Sequence, residues 1–424
     1  MSLRAALNPL IKSTTLANGL RVVTEKSGAG ANSKTAAVSL MFQSGSRYEK
    51  VPGAASALAQ SLAVQKGLSV EIDEDFLTLS MRTTSQDGKL SNASQLLSVL
   101  DGVEKATAAH ALPYEFHGSA NIEEEMMRRV QQDVFEGTLG YAQPSAEQLA
   151  LLTEEEVQRH AKLLKAKQAV VVAVGDVEHE AFVEEVDKHL SSLAAGKYLN
   201  EANLNVHENF VGQHIEQRHD NWPFAHALLV FATEGLENPQ MMANLEVFKQ
   251  LLGRYSAKDR AQGVVDYRPL VREIADQDTV EHFHAVQTAG LGHGLFGVYG
   301  VTQDTRLYDL CSHSMRAMSG TVTQTVYDMP QFEWLKTAAV TERLTAQDTP
   351  AKRAIAVAKQ LLSEDVVLTP AQQMALIDAV TPDTLMDTAK AVCYAREHAL
   401  VGYGPTFEIP DINFMRLHAE GKLA

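Results

Sequence analysis

The feature that most constrains this chain is that part of it is written twice. The segment "TEEEVQRHAKLLKAKQAVVVAVGD" (Thr153–Asp176) returns as "TPDTLMDTAKAVCYAREHALVGYGP" (Thr381–Pro405). Thr381 follows Thr153, and Ala389-Lys390 follow Ala161-Lys162, at one offset of 228 residues. Both copies read as a helix capped by Thr, a short basic connector, and an aliphatic strand ending at Gly. A weaker echo lies upstream, where "AAVSLMFQSGSRYE" matches "AHALLVFATEGLEN" (Ala225–Asn238). Each is a strand that leaves through a Gly-containing turn into a helix, expected over Gly53–Gly67 and Met241–Arg254. The element order is not strict βαβ alternation. It predicts an α+β chain of two homologous α/β-sandwich domains in tandem, each a mostly antiparallel sheet covered by helices. The boundaries fall at 1–196 and 214–424, with a polar linker at 197–213.

At 424 residues the chain exceeds one ordinary core, which agrees with two domains. Its longest aliphatic run, Ala169–Val174, is far too short to span a bilayer, so work at a membrane would be done as a peripheral subunit. A net charge of −16 argues against nucleic acid as a partner. The two cysteines, Cys311 and Cys393, have no zinc spacing and no disulfide framework; a reducing compartment and apolar burial are expected for both. The start, "MSLRAALNPLIKSTT", carries Arg4 and Lys12 with no acid before Glu25. It reads equally as a mitochondrial targeting segment or as an ordinary basic terminus.

Several motifs have a functional and a plain reading. Gly292-x-Gly294-x-x-Gly297 has the letters of a dinucleotide fingerprint, but "VYGVTQD" follows it where a helix is required, so it reads as a turn between strands. "EHFH" puts His282 and His284 on one face of a strand, where two imidazoles could bind a metal. No third ligand is evident nearby, and no metal is assigned. His110 and His117 have no fixed partner in the pattern. "NIEEEMMRR" offers Glu124–Arg128 and Glu125–Arg129 at i,i+4 and reads as a solvated helix face. No His-Glu-x-x-His, Gly-x-Ser-x-Gly or Walker loop occurs. No Cys or His pattern suits haem or an iron–sulfur cluster.

The order "NGLRVVTE", strand, "GSRYE", and a Gly-led helix "GAASALAQSL" (Gly53–Leu62) resembles the pitrilysin-type, M16-like metallopeptidase family. "LLGRY…LVREIAD" and "GLFGVYGV" agree in the second half, so the resemblance spans essentially the whole chain. Within the family it is nearest the mitochondrial branch, the processing peptidase subunits and the core proteins of respiratory complex III. "GSRYE", "GLFGVY" and "LLGRYSAKDRAQGVVDYRPLVREIA" are similar to the core protein 2 type. "GPTFEIPDINFMR" is more similar to core protein 1 or the β processing subunit.

The resemblance implies a site and its loss. Active members carry His-x-x-Glu-His on the helix after "GSRYE"; the histidines bind zinc and the Glu activates its water. The matching positions here are Ser56 for the first His, Ala59 for the general base and Gln60 for the second His. The further Glu of the family falls near Ile122–Glu125. The return "VQKGLSVEIDEDFLTLSMR" is shorter than in active members, and "LLGRYSAKDRAQG" lacks the glycine-rich run of the α processing subunit. The resemblance therefore implies a non-catalytic structural core subunit of complex III, peripheral on the matrix side of the mitochondrial inner membrane, with no cofactor and no metal. Implied partners are a sister core subunit (core protein 1 or β processing peptidase-like), cytochrome b, cytochrome c1, the Rieske protein and small subunits. A non-catalytic α-type processing subunit is the alternative. An active zinc peptidase is disfavoured by the missing ligands.

Overall fold

The computed structural model describes residues 10–26, 35–86, 88–112, 122–135, 139, 144–164, 168–193, 209–262, 268, 270–272, 274, 280–320 and 328–420. His117, the first nine residues and 197–208 of the expected linker lie outside them.

The chain is α+β, with two sheets and many helices. The first sheet is built from β1 (Leu10–Thr15), β2 (Arg21–Lys26), β3 (Thr35–Phe42), β4 (Ser69–Ile72), β5 (Leu77–Gln86), β6 (Lys89–Leu90) and β7 (Ala169–Gly175). Its order is β1-β2-β7-β3-β5-β4, with β6 on β5. The second contains β8 (His214–Arg218), β9 (Ala225–Thr233), β10 (Arg254–Ser256), β11 (Val280–Gly290), β12 (His293–Thr302) and β13 (His398–Gly404), in the order β10-β11-β12-β9-β13-β8. In each sheet the first strand of the repeat pairs parallel with the last, β2 with β7 and β8 with β13. The other ladders are antiparallel.

The written repeat is a structural repeat. Helices Glu154–Leu164 and Pro382–Val392 have eleven residues each. Thr153 Oγ1 accepts from the Glu156 amide at 3.4 Å and Thr381 Oγ1 from the Thr384 amide at 3.2 Å. The seven-residue strands that follow, β7 and β13, are buried at every position. Both end on a glycine with positive φ, +137° at Gly175 and +98° at Gly404. A Cβ at Gly175 would lie 2.7 Å from that of Ala36, so neither conformation nor space admits a larger residue.

Strands buried at every position need cover on both faces. In β3, Ala36, Val38, Leu40 and Phe42 join an apolar cluster with Ala57, Leu58 and Leu62 of helix Ala54–Lys66. The alternate residues Ala37, Ser39 and Met41 are equally buried on the opposite face. That face is covered by helix Pro350–Ser363, which packs on β3 and β7 although it lies in the second half of the sequence. The second sheet mirrors this. Ala227, Leu229 and Phe231 pack with Leu245 and Phe248 of helix Pro239–Leu252, while helix Ile122–Val134 from the first half packs on β9 and β13.

The compact units are accordingly not sequence halves. One comprises Met1–Glu115, Leu139–Asn200 and Arg343–Gln373; the other Phe116–Thr138, Glu201–Glu342 and Met374–Ala424. The halves exchange one covering segment each, which the expected cut at 197–213 does not anticipate. In the first unit the exchanged helix is fixed by charge. Arg353 Nε lies 3.0 Å from both Glu25 carboxylate oxygens and its Nη2 lies 2.9 Å from Oε2, with side chains 6% and 5% exposed. Glu25 shares its face of β2 with Val23, away from the Leu20–Val22 cluster. Lys359 adds an ion pair to Asp73 at 2.7 Å, and Arg21 donates to the Leu361 carbonyl at 2.6 Å and pairs with Asp365.

Candidate functional site

The stretch "SGSRYE" after β3 is a clamp that sets the helix carrying the candidate positions. Gly45 lies so close to the β4–β5 turn that a Cβ there would sit 2.4 Å from the Asp73 carbonyl and 2.5 Å from that of Glu74. The amides of Gly45, Ser46 and Arg47 donate to the carbonyls of Asp75, Asp73 and Glu74 at 3.0, 3.2 and 2.9 Å. The Arg47 guanidinium reaches Asp75 at 2.8 Å, and the Asp75 side chain is 1% exposed. Glu49 then turns to the helix start, where Oε2 accepts from the amides of Gly53 and Ala55 at 3.1 Å each. A carboxylate at that point satisfies two otherwise unpaired donors and suits the positive end of the helix dipole.

The second half repeats the device. A Cβ at Gly235 would lie 2.2 Å from the Gly290 carbonyl, in the β11–β12 turn. Glu237 accepts from the amides of Gly235 and Gly292 at 3.0 and 2.9 Å, and Asn238 caps the next helix through the Met241 amide at 3.0 Å. Gly292 therefore belongs to a tight turn between two strands, with φ +70°, as the plain reading of "GLGHGLFG" expects.

Ser56, Ala59 and Gln60 lie on one face of helix Ala54–Lys66, at i, i+3 and i+4. Ser56 is buried, Gln60 is half-buried, and Ala59 has no exposure and is part of the apolar cluster under the sheet. The three supply a hydroxyl, a methyl and an amide, none of which is a strong zinc ligand or a base at neutral pH. The helix stops at Gly67, in the left-handed region with φ +64°, whose amide returns to the Ala63 carbonyl. Only Gly67 and Leu68 separate the helix from β4, so the return is as short as the sequence reading holds. His110 is tied into this unit, with Nδ1 3.0 Å from Ser61 Oγ and 3.2 Å from Thr107 Oγ1.

Glu123, Glu124 and Glu125 stand on helix Ile122–Val134, which belongs to the other compact unit. The expectation of a solvated face needs correction. Glu125 is buried and grips Arg128 through two bonds of 2.7 and 2.8 Å, at i,i+3 instead of the expected i,i+4. The helix covers a sheet, so one of its charged rows turns inward and must pair there. Glu123 instead meets His284, with Oε1 2.9 Å from Nε2. Cys311 and Cys393 are free and buried, and burial pushes the Cys311 thiol up to about 12. Among the described residues no helix is long and apolar enough to cross a membrane.

What the sequence reading missed is the set of charges that holds the frame: Glu25 with Arg353, Arg47 with Asp75, and Glu49 at the helix start. Only Glu49 left a signal, an acid just before a helix-opening glycine.

Comparisons with known proteins agree with this frame. Residues 152–334 match the Peptidase M16 inactive domain. The probable mitochondrial-processing peptidase subunit beta of Arabidopsis thaliana is 26% identical over 440 residues, 96% of this chain and 81% of that protein. Cytochrome b-c1 complex subunit 1 of Mus musculus is 26% identical over 257 residues, 59% of this chain and 52% of that one. A chain in a structure of complex III2 from Candida albicans bound to Inz-5 superposes with a TM-score of 0.80 at 19% identity, covering 96% of this chain and 99% of that one. Residues 152–334 thus match the Peptidase M16 inactive domain, and the chain is similar to subunits of complex III and to the beta subunit of the mitochondrial processing peptidase.

Proposed function

We propose that this chain is a non-catalytic structural core subunit of mitochondrial respiratory complex III. It pairs with a sister core subunit on the matrix side of the inner membrane and supports cytochrome b, cytochrome c1, the Rieske protein and the small subunits. The observation that carries the reading is the helix Ala54–Lys66. At the three positions that match the family's zinc and general-base residues it bears Ser56, Ala59 and Gln60, and Ala59 is packed into the core. Replacing a catalytic carboxylate by a buried methyl closes the space the base would need. The two-residue return at Gly67-Leu68 removes substrate-facing edge as well. The clamps that set this helix and its counterpart remain complete, which is what a subunit kept for its shape requires. The similarity to a cytochrome b-c1 complex subunit supports the same assignment.

A second reading is a non-catalytic, α-type subunit of a processing peptidase. It is favoured by matches to β processing subunits that run over nearly the full chain. The missing glycine-rich run in "LLGRYSAKDRAQG" counts against it. The deciding experiment is isolation of the native assembly from mitochondria in mild detergent, followed by identification of the co-migrating chains. Co-migration with cytochromes b and c1 is expected. Co-migration with a β processing subunit alone, with presequence cleavage in the same fraction, overturns the proposal.

A further inference from the structure

The face of the second sheet that receives helix Ile122–Val134 carries a cluster the proposed function does not use. His282 and His284 project from β11 two residues apart, with His282 Nε2 3.0 Å from His284 Nδ1. The far nitrogen of His284, Nε2, lies 2.9 Å from Glu123 Oε1. The ring of Tyr299 stands 5.4 Å from that of His284 and 6.4 Å from that of His282. The His284 and Glu123 side chains are 27% and 41% exposed, so solvent reaches the cluster.

The geometry points to a two-imidazole binding site for a divalent late transition metal, with His282 Nε2 and His284 Nδ1 as ligands and Glu123 holding the outer nitrogen of His284. Two nitrogens bound to one ion at about 2.1 Å lie roughly 3.0 Å apart in neighbouring positions of an octahedral or square site, and about 3.4 Å apart in a tetrahedral one. The observed 3.0 Å matches that spacing, and each ring must turn so that its lone pair leaves the N···N axis and meets the ion. The carboxylate supplies what a ligating histidine ordinarily has on its other nitrogen. By accepting from Nε2–H it fixes the tautomer that leaves the Nδ1 lone pair towards His282. Without metal, His282 donates Nε2–H to that lone pair. With metal, the proton passes through solvent to His282 Nδ1, and no net proton is released.

Surrounding charges set the strength. Burial and the neighbouring His284 hold His282 below its ordinary proton affinity. Glu123 and Asp259 favour a cation there, whereas Arg254, opposite His284 across the β10–β11 ladder, opposes it. Among the described residues no three His, Cys, Asp or Glu groups converge on one point, so water completes the coordination. With only two imidazole ligands and an opposing guanidinium, the site binds more weakly than a structural zinc site.

The test is calorimetric titration of Ni2+ and Zn2+ into the full-length chain after chelator treatment. One saturable ion per chain is expected. His282→Gln and His284→Gln each weaken it at least about tenfold, and Glu123→Gln weakens it by roughly tenfold with stoichiometry kept. Arg254→Gln tightens it about threefold by removing the opposing charge. Thermal melting of each variant separates loss of ligand from loss of fold, and the Arg254→Gln arm does not depend on removing any contact of the site. Absence of saturable binding, or binding of wild-type strength in both histidine variants, overturns the site.

Discussion

Under the proposed function Ala59 stands where active M16-like peptidases carry a general base, and the structure predicts that Ala59→Glu damages the chain. Ala59 has no exposure and packs with Leu58, Leu62, Leu77 and Val157 in one cluster. Adding two methylenes and a carboxyl to a packed core costs about 1–3 kcal/mol in displaced neighbours. A carboxyl there has no partner, so burial lifts its pKa by about 3 units or more from roughly 4.3. Such a group holds its proton more tightly folded than unfolded. The stability it costs therefore grows as pH rises from about 4.3 to the raised value. At about 1.36 kcal/mol per unit, the ionisation cost is about 2 kcal/mol at pH 5.5 and about 4 kcal/mol at pH 7.5. The sum at pH 7.5 is about 5–7 kcal/mol, comparable to the whole stability of a domain. For units of this size it lowers the Tm by about 10–25 °C. Differential scanning fluorimetry at the two pH values reads this directly, with Ala59→Gln as the control for volume without ionisation. A variant that melts within about 3 °C of wild type at pH 7.5, or that shows the same deficit at both pH values, refutes the reasoning, because the carboxylate must then reach water.

Arg353→Ala leaves Glu25 charged in a buried place and is expected to cost about 3–5 kcal/mol, whereas the double variant Glu25→Leu/Arg353→Met costs clearly less than the sum of its single changes; a double-mutant cycle by urea unfolding measures this. Gly235→Ala drives a Cβ into the Gly290 carbonyl and is expected to lower the Tm by several degrees, where Gly320→Ala, with open space around it, does not. A chain cut after residue 200 keeps the first sheet but lacks helix Pro350–Ser363, and limited proteolysis is expected to degrade it far faster than the full chain; equal resistance sinks the exchanged-cover description. The triple variant Ser56→His/Ala59→Glu/Gln60→His is expected to cleave no presequence peptide even with added zinc, and cleavage well above background would show that the shortened return is harmless.

The sequence shows what is local and repeated. Thr153 and Thr381 cap matching helices, and the aliphatic runs after them are strands because a repeat doubles the signal at each position. Strand alternation was enough to put His282 and His284 on one face. It could not supply Glu123, which stands 161 residues away from His284 and approaches only because its helix covers that face. The same distance hid the buried roles of Glu125 and Arg128, which look like a solvated row until the sheet beneath them is known. The proposed equivalence of Ser56, Ala59 and Gln60 with the family's metal and base positions rests on motif resemblance. That Ala59 is sealed inside the core was not, since alanine is equally at home on either side of a helix.

Under the proposed function, the exchange of covering helices explains how the frame outlasts its chemistry. In a chain of two independent domains, loss of a catalytic helix would relax the packing demands on one domain only. Here the first sheet's second face, with Met41, Val170, Val172 and Val174, depends on a helix encoded more than three hundred residues after β2. The second sheet depends likewise on a helix encoded in the first half. Each half is therefore held to its shape by the other half's needs, whatever its active site does. The charges are placed where this dependence is greatest. Glu25 and Arg353 sit between the exchanged helix and its sheet, where an apolar contact alone would permit the helix to slide along the strands. A forked ion pair permits one register, since any slip leaves two buried charges unpaired. The clamps at Gly45 and Gly235 act in the same sense, locking strand to turn by contacts too close for any side chain. Under the proposed function, selection for shape alone preserves all of these features and places no demand on Ser56, Ala59 and Gln60.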